Sequence, residues 1–190
     1  MMFPARTQGG RSRGDLRPWL ILAITAIATS ACASHRYSVR EPVEKKFGAF
    51  DTVEVLPFTS AVDTEAARQV ADQLPDALVT KLAKATRKGS KEKMFSVVTD
   101  SAGPAEGVLS ISGRVLSFEE GNRAQRYFIG LGAGKAFATV ECVFTDKASG
   151  RQVAVATFDG ELSGGLFGGS SGGAAEGVIQ AVRDFLRDNY

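Results

Sequence analysis

The chain has 190 residues, with 23 Lys and Arg against 21 Asp and Glu, one histidine and two cysteines, for a formal net charge of +2. Residues 1 to 31 hold Arg6, Arg11, Arg13 and Arg17 against Asp15 alone, so setting them aside leaves 19 basic and 20 acidic residues. That balance offers no clustered basic face for nucleic acid, and a lone His35 with a single cysteine after Cys32 excludes imidazole-based nucleophilic catalysis and His or Cys zinc sites within a folded domain.

The first elements are those of export. Four arginines lead into an apolar stretch from Trp19 to Ala28 and then to Thr29-Ser30-Ala31-Cys32, the charge, core and small-residue order of a signal peptide over residues 1–31. The apolar run is well short of the ~20 residues of a spanning helix. Small residues before Cys32 resemble the bacterial lipobox, in which the cysteine becomes the lipidated first residue. Thr29 stands where that pattern usually has Leu, and Ala31-Cys32-Ala33 also fits ordinary A-x-A cleavage, so both routes remain open. By resemblance to Gram-negative lipoproteins, Ala33 after the cysteine implies sorting to the outer membrane. Lipidation of Cys32 would leave Cys142 without a disulfide partner.

Residues 32–49 read as the lipidated cysteine and a flexible tether, polar and without helical or strand period. Residues 50–190 read as one periplasmic domain, long enough to bury a single core. Thr52 to Pro57 alternates with Val53 and Val55 on one face and predicts a first strand. Val70, Leu74, Leu78 and Leu82 recur every four residues after Thr64-Glu65 and predict a helix, with a kink or break at Pro75. Met94 to Val98 is a short second strand. Val108 to Phe118 is a third, and its apolar phase slips between Val115 and Leu116, which together with Gly113 predicts a bulge or twist.

Lys135 to Thr145 and Arg151 to Leu162 are the fourth and fifth strands, joined by a hairpin at Asp146 to Gly150. In the fourth, Cys142 shares the apolar face with Val140 and Phe144, which predicts a buried, inert thiol. Ala174 to Asp188 returns to helical period, with Ala175, Val178, Val182, Phe185 and Leu186 on one stripe. The order β-α-β-β-β-β-α predicts an α/β (α+β) two-layer sandwich, with a mixed, mostly antiparallel sheet of about five strands and two helices.

Two glycine-rich segments carry the functional expectation. Gly121 to Phe137 reads GNRAQRYFIGLGAGKAF, and Gly160 to Gly173 reads GELSGGLFGGSSGG. The run Gly130-Leu131-Gly132-Ala133-Gly134-Lys135 is neither a phosphate loop, since Ile129 and Ala136 occupy the required Gly and Ser/Thr places, nor a dinucleotide fingerprint, since Lys135 breaks it and a strand follows. Glu119 and Glu120 point to opposite faces of an extended chain and make a poor acid-base pair. Glycines at four-residue spacing from Gly164 to Gly173 fit a flexible loop, or alternatively a close-packing motif. No cofactor or metal is expected.

EEGNRAQRYFIGLGAGKAF, the 146–150 hairpin and GGLFGGSSGG together resemble a family of small bacterial envelope lipoproteins known as a domain of unknown function, number four-four-one-zero. The similarity is most specific at Gly121, Arg126, Gly130, Gly132 and Gly134, and it implies no established activity. The element order is also similar to that of envelope lipoproteins that bind and regulate other envelope machinery, an analogy of fold alone.

A meander brings the two glycine segments to one end of the sheet, and the first strand is expected to begin there too. Arg123, Arg126, Tyr127, Phe128, Leu131 and Lys135 from one segment, with Leu166 and Phe167 from the other, are therefore expected to form a partner-binding patch with an apolar centre and a basic rim. The function read from this is a non-enzymatic, lipid-anchored interaction module facing the periplasm. The alternatives are an oligomeric structural or transport-complex component assembling through the glycine segments, and an enzyme using only carboxylates and hydroxyls.

Overall fold

Alternating apolar residues on consecutive strands, with two amphipathic helices to cover one face, yield a mixed sheet beneath a helical layer. A computed structural model of the chain describes residues 35–101, 103–119, 137–161 and 172–190. Within them lie strands β1 (His35–Glu41), β2 (Thr52–Val55), β3 (Thr59–Ser60), β4 (Val97–Thr99), β5 (Val108–Glu119), β6 (Phe137–Asp146) and β7 (Arg151–Glu161). Helices α1 (Glu65–Leu82) and α2 (Gly172–Asp188) complete the fold, with one 3-10 turn at Phe47–Ala49.

The sheet runs β1-β7-β6-β5-β2-β4, with β3 paired to β5 off the main path. β5, β6, β7 and β1 pair antiparallel in turn, whereas β2 lies parallel to both β5 and β4. The expected meander is present in β5, β6 and β7, but β4 pairs parallel with β2 instead of antiparallel with β5, and seven strands replace the expected five. The additions are β3 and β1, and β1 arises from residues read as tether. Its sequence HRYSVRE has only two apolar residues, Tyr37 and Val39, which is all that a strand at the sheet edge needs. Phe47, in the same stretch, is fully buried.

α1 begins where Thr64 Oγ1 accepts the Ala67 amide at 3.2 Å, a local N-cap. Val70, Leu74, Leu78 and Leu82 are buried as their spacing requires. Pro75 sits inside a continuous 18-residue helix and is itself buried, so the predicted break into two abutting helices does not occur. The apolar stripe spans both sides of the proline, and packing holds the two halves together where one backbone bond is missing.

The slip in β5 is a bulge: Val115 pairs with Val140 and Ser117 with Thr139, leaving Leu116 as the extra residue. Gly113 has a separate cause. A Cβ built there would lie 2.3 Å from a ring carbon of Phe58, which is itself buried, so the glycine makes room for that ring. At the β6–β7 turn Gly150 takes φ +67° and donates its amide to Asp146 O at 2.9 Å, the left-handed position that glycine supplies without strain. Cys142 is fully buried, and burial, helped by the Glu141 charge, pushes its thiol far above the usual range.

Gly113→Ala is expected to cost about 1–3 kcal/mol by forcing overlap with a ring that has nowhere to go. Urea unfolding of the single variants and of Gly113→Ala combined with Phe58→Ala checks this. The glycine substitution should cost clearly less once the ring is gone, and equal cost in both backgrounds would contradict the steric cause.

Candidate interaction surface

The sequence-predicted site residues Gly121, Arg123, Arg126, Tyr127, Phe128, Gly130, Leu131, Gly132, Gly134, Lys135, Leu166 and Phe167, and Cys32 with them, lie outside the described residues. Their points of attachment are inside. Glu119, the last residue of β5, pairs with Phe137, the first of β6, and Phe137 pairs in turn with Glu161, the last of β7. One row across three strands thus carries both ends of the first glycine segment and the start of the rest of the second. Phe137 is 46% exposed at this row, and beside it Thr139 Oγ1 donates to Asp159 Oδ1 at 2.8 Å.

The expectation that the first strand after the tether begins at this end is incorrect. That strand is β2, which runs parallel to β5 and so starts at the opposite pole. The chain nevertheless enters at the glycine end, through β1, because His35 pairs with Gly160 and β1 runs antiparallel to β7. β1 then delivers the chain to the far pole, where the Phe47 amide donates to Asn189 O at 3.1 Å beyond the end of α2.

The outer surface of the helical layer has an open hollow of about 660 Å³ between α1 and α2, lined in part by Ala77, Thr80, Lys81, Ala175, Glu176 and Ile179. Lys81 Nζ donates to Glu176 Oε1 at 2.9 Å across the hollow, and Gln180 Nε2 donates to the same oxygen at 2.8 Å. On the sheet's other face Glu54 is nearly buried, accepting from Ser110 Oγ at 2.9 Å and from Lys147 Nζ at 2.8 Å. This pairing ties β2, β5 and the β6–β7 turn together. Among the described residues no group of three or more His, Cys, Asp or Glu is placed to hold a metal ion, and no helix is long and apolar enough to cross a membrane.

The family model for a domain of unknown function, DUF4410, matches residues 50–165. The chain belongs to the DUF4410 family. No curated protein matches the chain. Among solved structures it is similar in fold to PelC from Paraburkholderia phytofirmans, crystallised as a dodecamer in two space groups. The identity is 16% and the TM-score 0.50, over 80% of this chain and 98% of that one. Protein XCC0632 from Xanthomonas campestris matches at 15% identity with a TM-score of 0.41, over 73% and 80% of the two chains. The DUF4410 match spans β2 to β7 and the whole first glycine segment. It leaves β1 and α2 outside, so the strand that brings the chain to the glycine end, and the helix that packs on it, lie beyond the matched residues.

Sequence reasoning missed β1, whose signal was the Tyr37/Val39 alternation, and the Lys81–Glu176 bridge, which joins residues of opposite charge on helices 95 positions apart. Burial raises the Glu176 carboxyl, but the Lys81 and Gln180 hydrogen bonds and the charges of Lys81 and Arg183 outweigh it, so its pKa falls below 4.5. A carboxylate depressed by folding contributes stability that is fully present above its unfolded value and is lost as pH falls through the folded value. Glu176→Gln should therefore be less stable than the wild type near neutrality, and the gap in urea midpoint should close as the pH falls through the depressed value of the folded carboxyl. A gap that persists unchanged in acid would show that the ionised form is not what matters.

Proposed function

We propose that this DUF4410 chain is a non-enzymatic interaction module of the bacterial envelope, lipidated at Cys32, held on the periplasmic face of the outer membrane, and engaging a partner protein through its glycine end. The partner-binding residues are Arg123, Arg126, Tyr127, Phe128, Leu131 and Lys135, with Leu166 and Phe167. It uses no cofactor, nucleotide or nucleic acid.

One observation carries the reading. β1 starts at the glycine end, three residues after Cys32, and three residues of chain reach at most about 10 Å. A lipid on Cys32 therefore holds that end of the sheet, and the segments that leave it, beside the bilayer. Several acyl chains on one cysteine, at ~0.8 kcal/mol per buried CH₂, give stable attachment. The glycine segments then work where the membrane limits the partner's approach.

A second reading is supported by the PelC fold: a structural or transport-complex component that oligomerises through the same segments, since a protein of similar fold forms dodecamers. Native mass spectrometry of the detergent-extracted chain separates the two, because a stable ring favours the second.

Metabolic labelling with a tagged fatty acid should mark the wild type and not Cys32→Ser. Phe167→Asp should abolish a crosslink from Tyr127 to the partner while leaving thermal unfolding nearly unchanged. Equal labelling of the wild type and Cys32→Ser removes the anchor. A large loss of stability in Phe167→Asp makes Phe167 a core residue and removes the patch.

A further inference from the structure

The pole opposite the glycine segments has a feature that the interaction reading does not use. After α1 the chain makes a small hairpin in which Thr86 bridges Lys93 and the Arg87 amide donates to Glu92 O at 2.9 Å. Its tip is Lys88-Gly89-Ser90-Lys91, and Gly89 takes φ +73° with open space where a Cβ would stand. The hairpin sits against the last turn of α2. Lys88 Nζ lies 3.3 Å from Asp188 Oδ1, and the Arg87 guanidinium lies 5.1 Å from the centre of the Tyr190 ring. Between the hairpin tip and Arg187 is an open hollow of about 390 Å³.

Arg187 is the informative member of this lining. Its Nη2 is held by Asp184 Oδ1 at 2.9 Å, but its Nε is buried and has no hydrogen-bond partner, the one such side-chain atom among the described residues. A buried donor left unmet is destabilising, and such groups are rare enough in folded proteins to require a cause. Lys91, exposed at the rim, makes no ion pair among the described residues. The Arg87–Glu92 and Lys88–Asp188 pairs beside it are solvent-exposed and worth little, so their cations are open to a competing anion.

We infer that this hollow is a binding site for a tetrahedral oxyanion of the phosphate class, held by Arg187, Lys91 and the hairpin tip. The Arg187 guanidinium, the Lys91 ammonium and the Ser90 hydroxyl line one hollow from segments about a hundred positions apart, and donors drawn from separate segments suit tetrahedral oxygens better than a planar carboxylate. The absent Cβ at Gly89 leaves the backbone at the tip approachable. The inference stands on the far pole alone and does not rest on lipidation or on the glycine segments.

Titration of the ¹⁵N-labelled full chain with inorganic phosphate at constant ionic strength tests it, with the Arg187 Nε–Hε resonance as the reporter and chloride and acetate as controls. Phosphate should shift that resonance saturably, and Lys91→Ala should weaken the apparent affinity about tenfold. Lys84→Ala, on the rim of the other hollow, should leave it unchanged. A linear drift shared with chloride would reduce the effect to screening and overturn the site. Acetate binding as tightly as phosphate would overturn the ligand class, and an unaltered affinity in Lys91→Ala would overturn the assigned geometry.

Discussion

Phe185 is the point on which the rest of the structure depends. Its ring, fully buried on α2, meets Phe144 at 5.2 Å, Tyr37 at 5.3 Å, Phe47 at 5.5 Å and Phe158 at 5.6 Å between centroids. Those four rings come from β6, β1, the 3-10 turn and β7, so one side chain closes contacts among segments from both ends of the chain. Buried aromatic pairs of this kind add about 0.5–1.5 kcal/mol each beyond the area they bury. The consequence is positional as much as energetic. β1 has few apolar residues of its own: its backbone pairing with β7 makes it part of the sheet, and Tyr37 beside Phe185 packs it towards α2.

That docking decides where the chain enters the domain. An unattached stretch before β2 would deliver the chain to the pole where β2 begins, some ten paired residues from the glycine segments. With β1 laid along β7, the start of the domain is instead paired with Gly160. β6, ten residues long, separates the poles by about 30 Å at the usual rise per residue. An anchor preceding β1 and an anchor preceding β2 therefore give opposite orientations, and the pairing of β1 with β7 selects between them.

Much of this was legible in the sequence, because the long elements repeat a strong pattern. The stripe of α1, the alternation of β5 to β7 and the stripe of α2 all place residues that are buried in the structure. The bulge was readable as a slip of phase at Leu116. β1 was not legible because an edge strand is held by its backbone pairing and tolerates charge, so Arg36 and Arg40 masked the alternation of Tyr37 and Val39, which themselves stay exposed. The break expected at Pro75 is absent because local preference yields to a stripe that continues past it. Gly113 was legible as an anomaly but not as a steric one, since the ring of Phe58 reaches it from 55 positions away. Of the candidate surface, the sequence indicated which strands flank the glycine segments and that they share an end; the identity of the strand bringing the chain there required the pairing of His35 with Gly160.

The poles differ in chemistry. The glycine end carries exposed Phe137 between its attachment points, and the far end carries the basic hairpin, the β6–β7 turn and the end of α2. Quenching of a dye by lipids bearing a headgroup quencher reports directly which of them is held at the bilayer. Cys142 is buried and unreactive, so single dyes can be placed through Glu119→Cys at the glycine end and Ser149→Cys in the far turn, both exposed positions. In vesicles carrying the mature chain, the dye at position 119 should be strongly quenched and the dye at position 149 almost untouched. Equal quenching, or quenching of position 149 alone, would contradict the orientation set by β1.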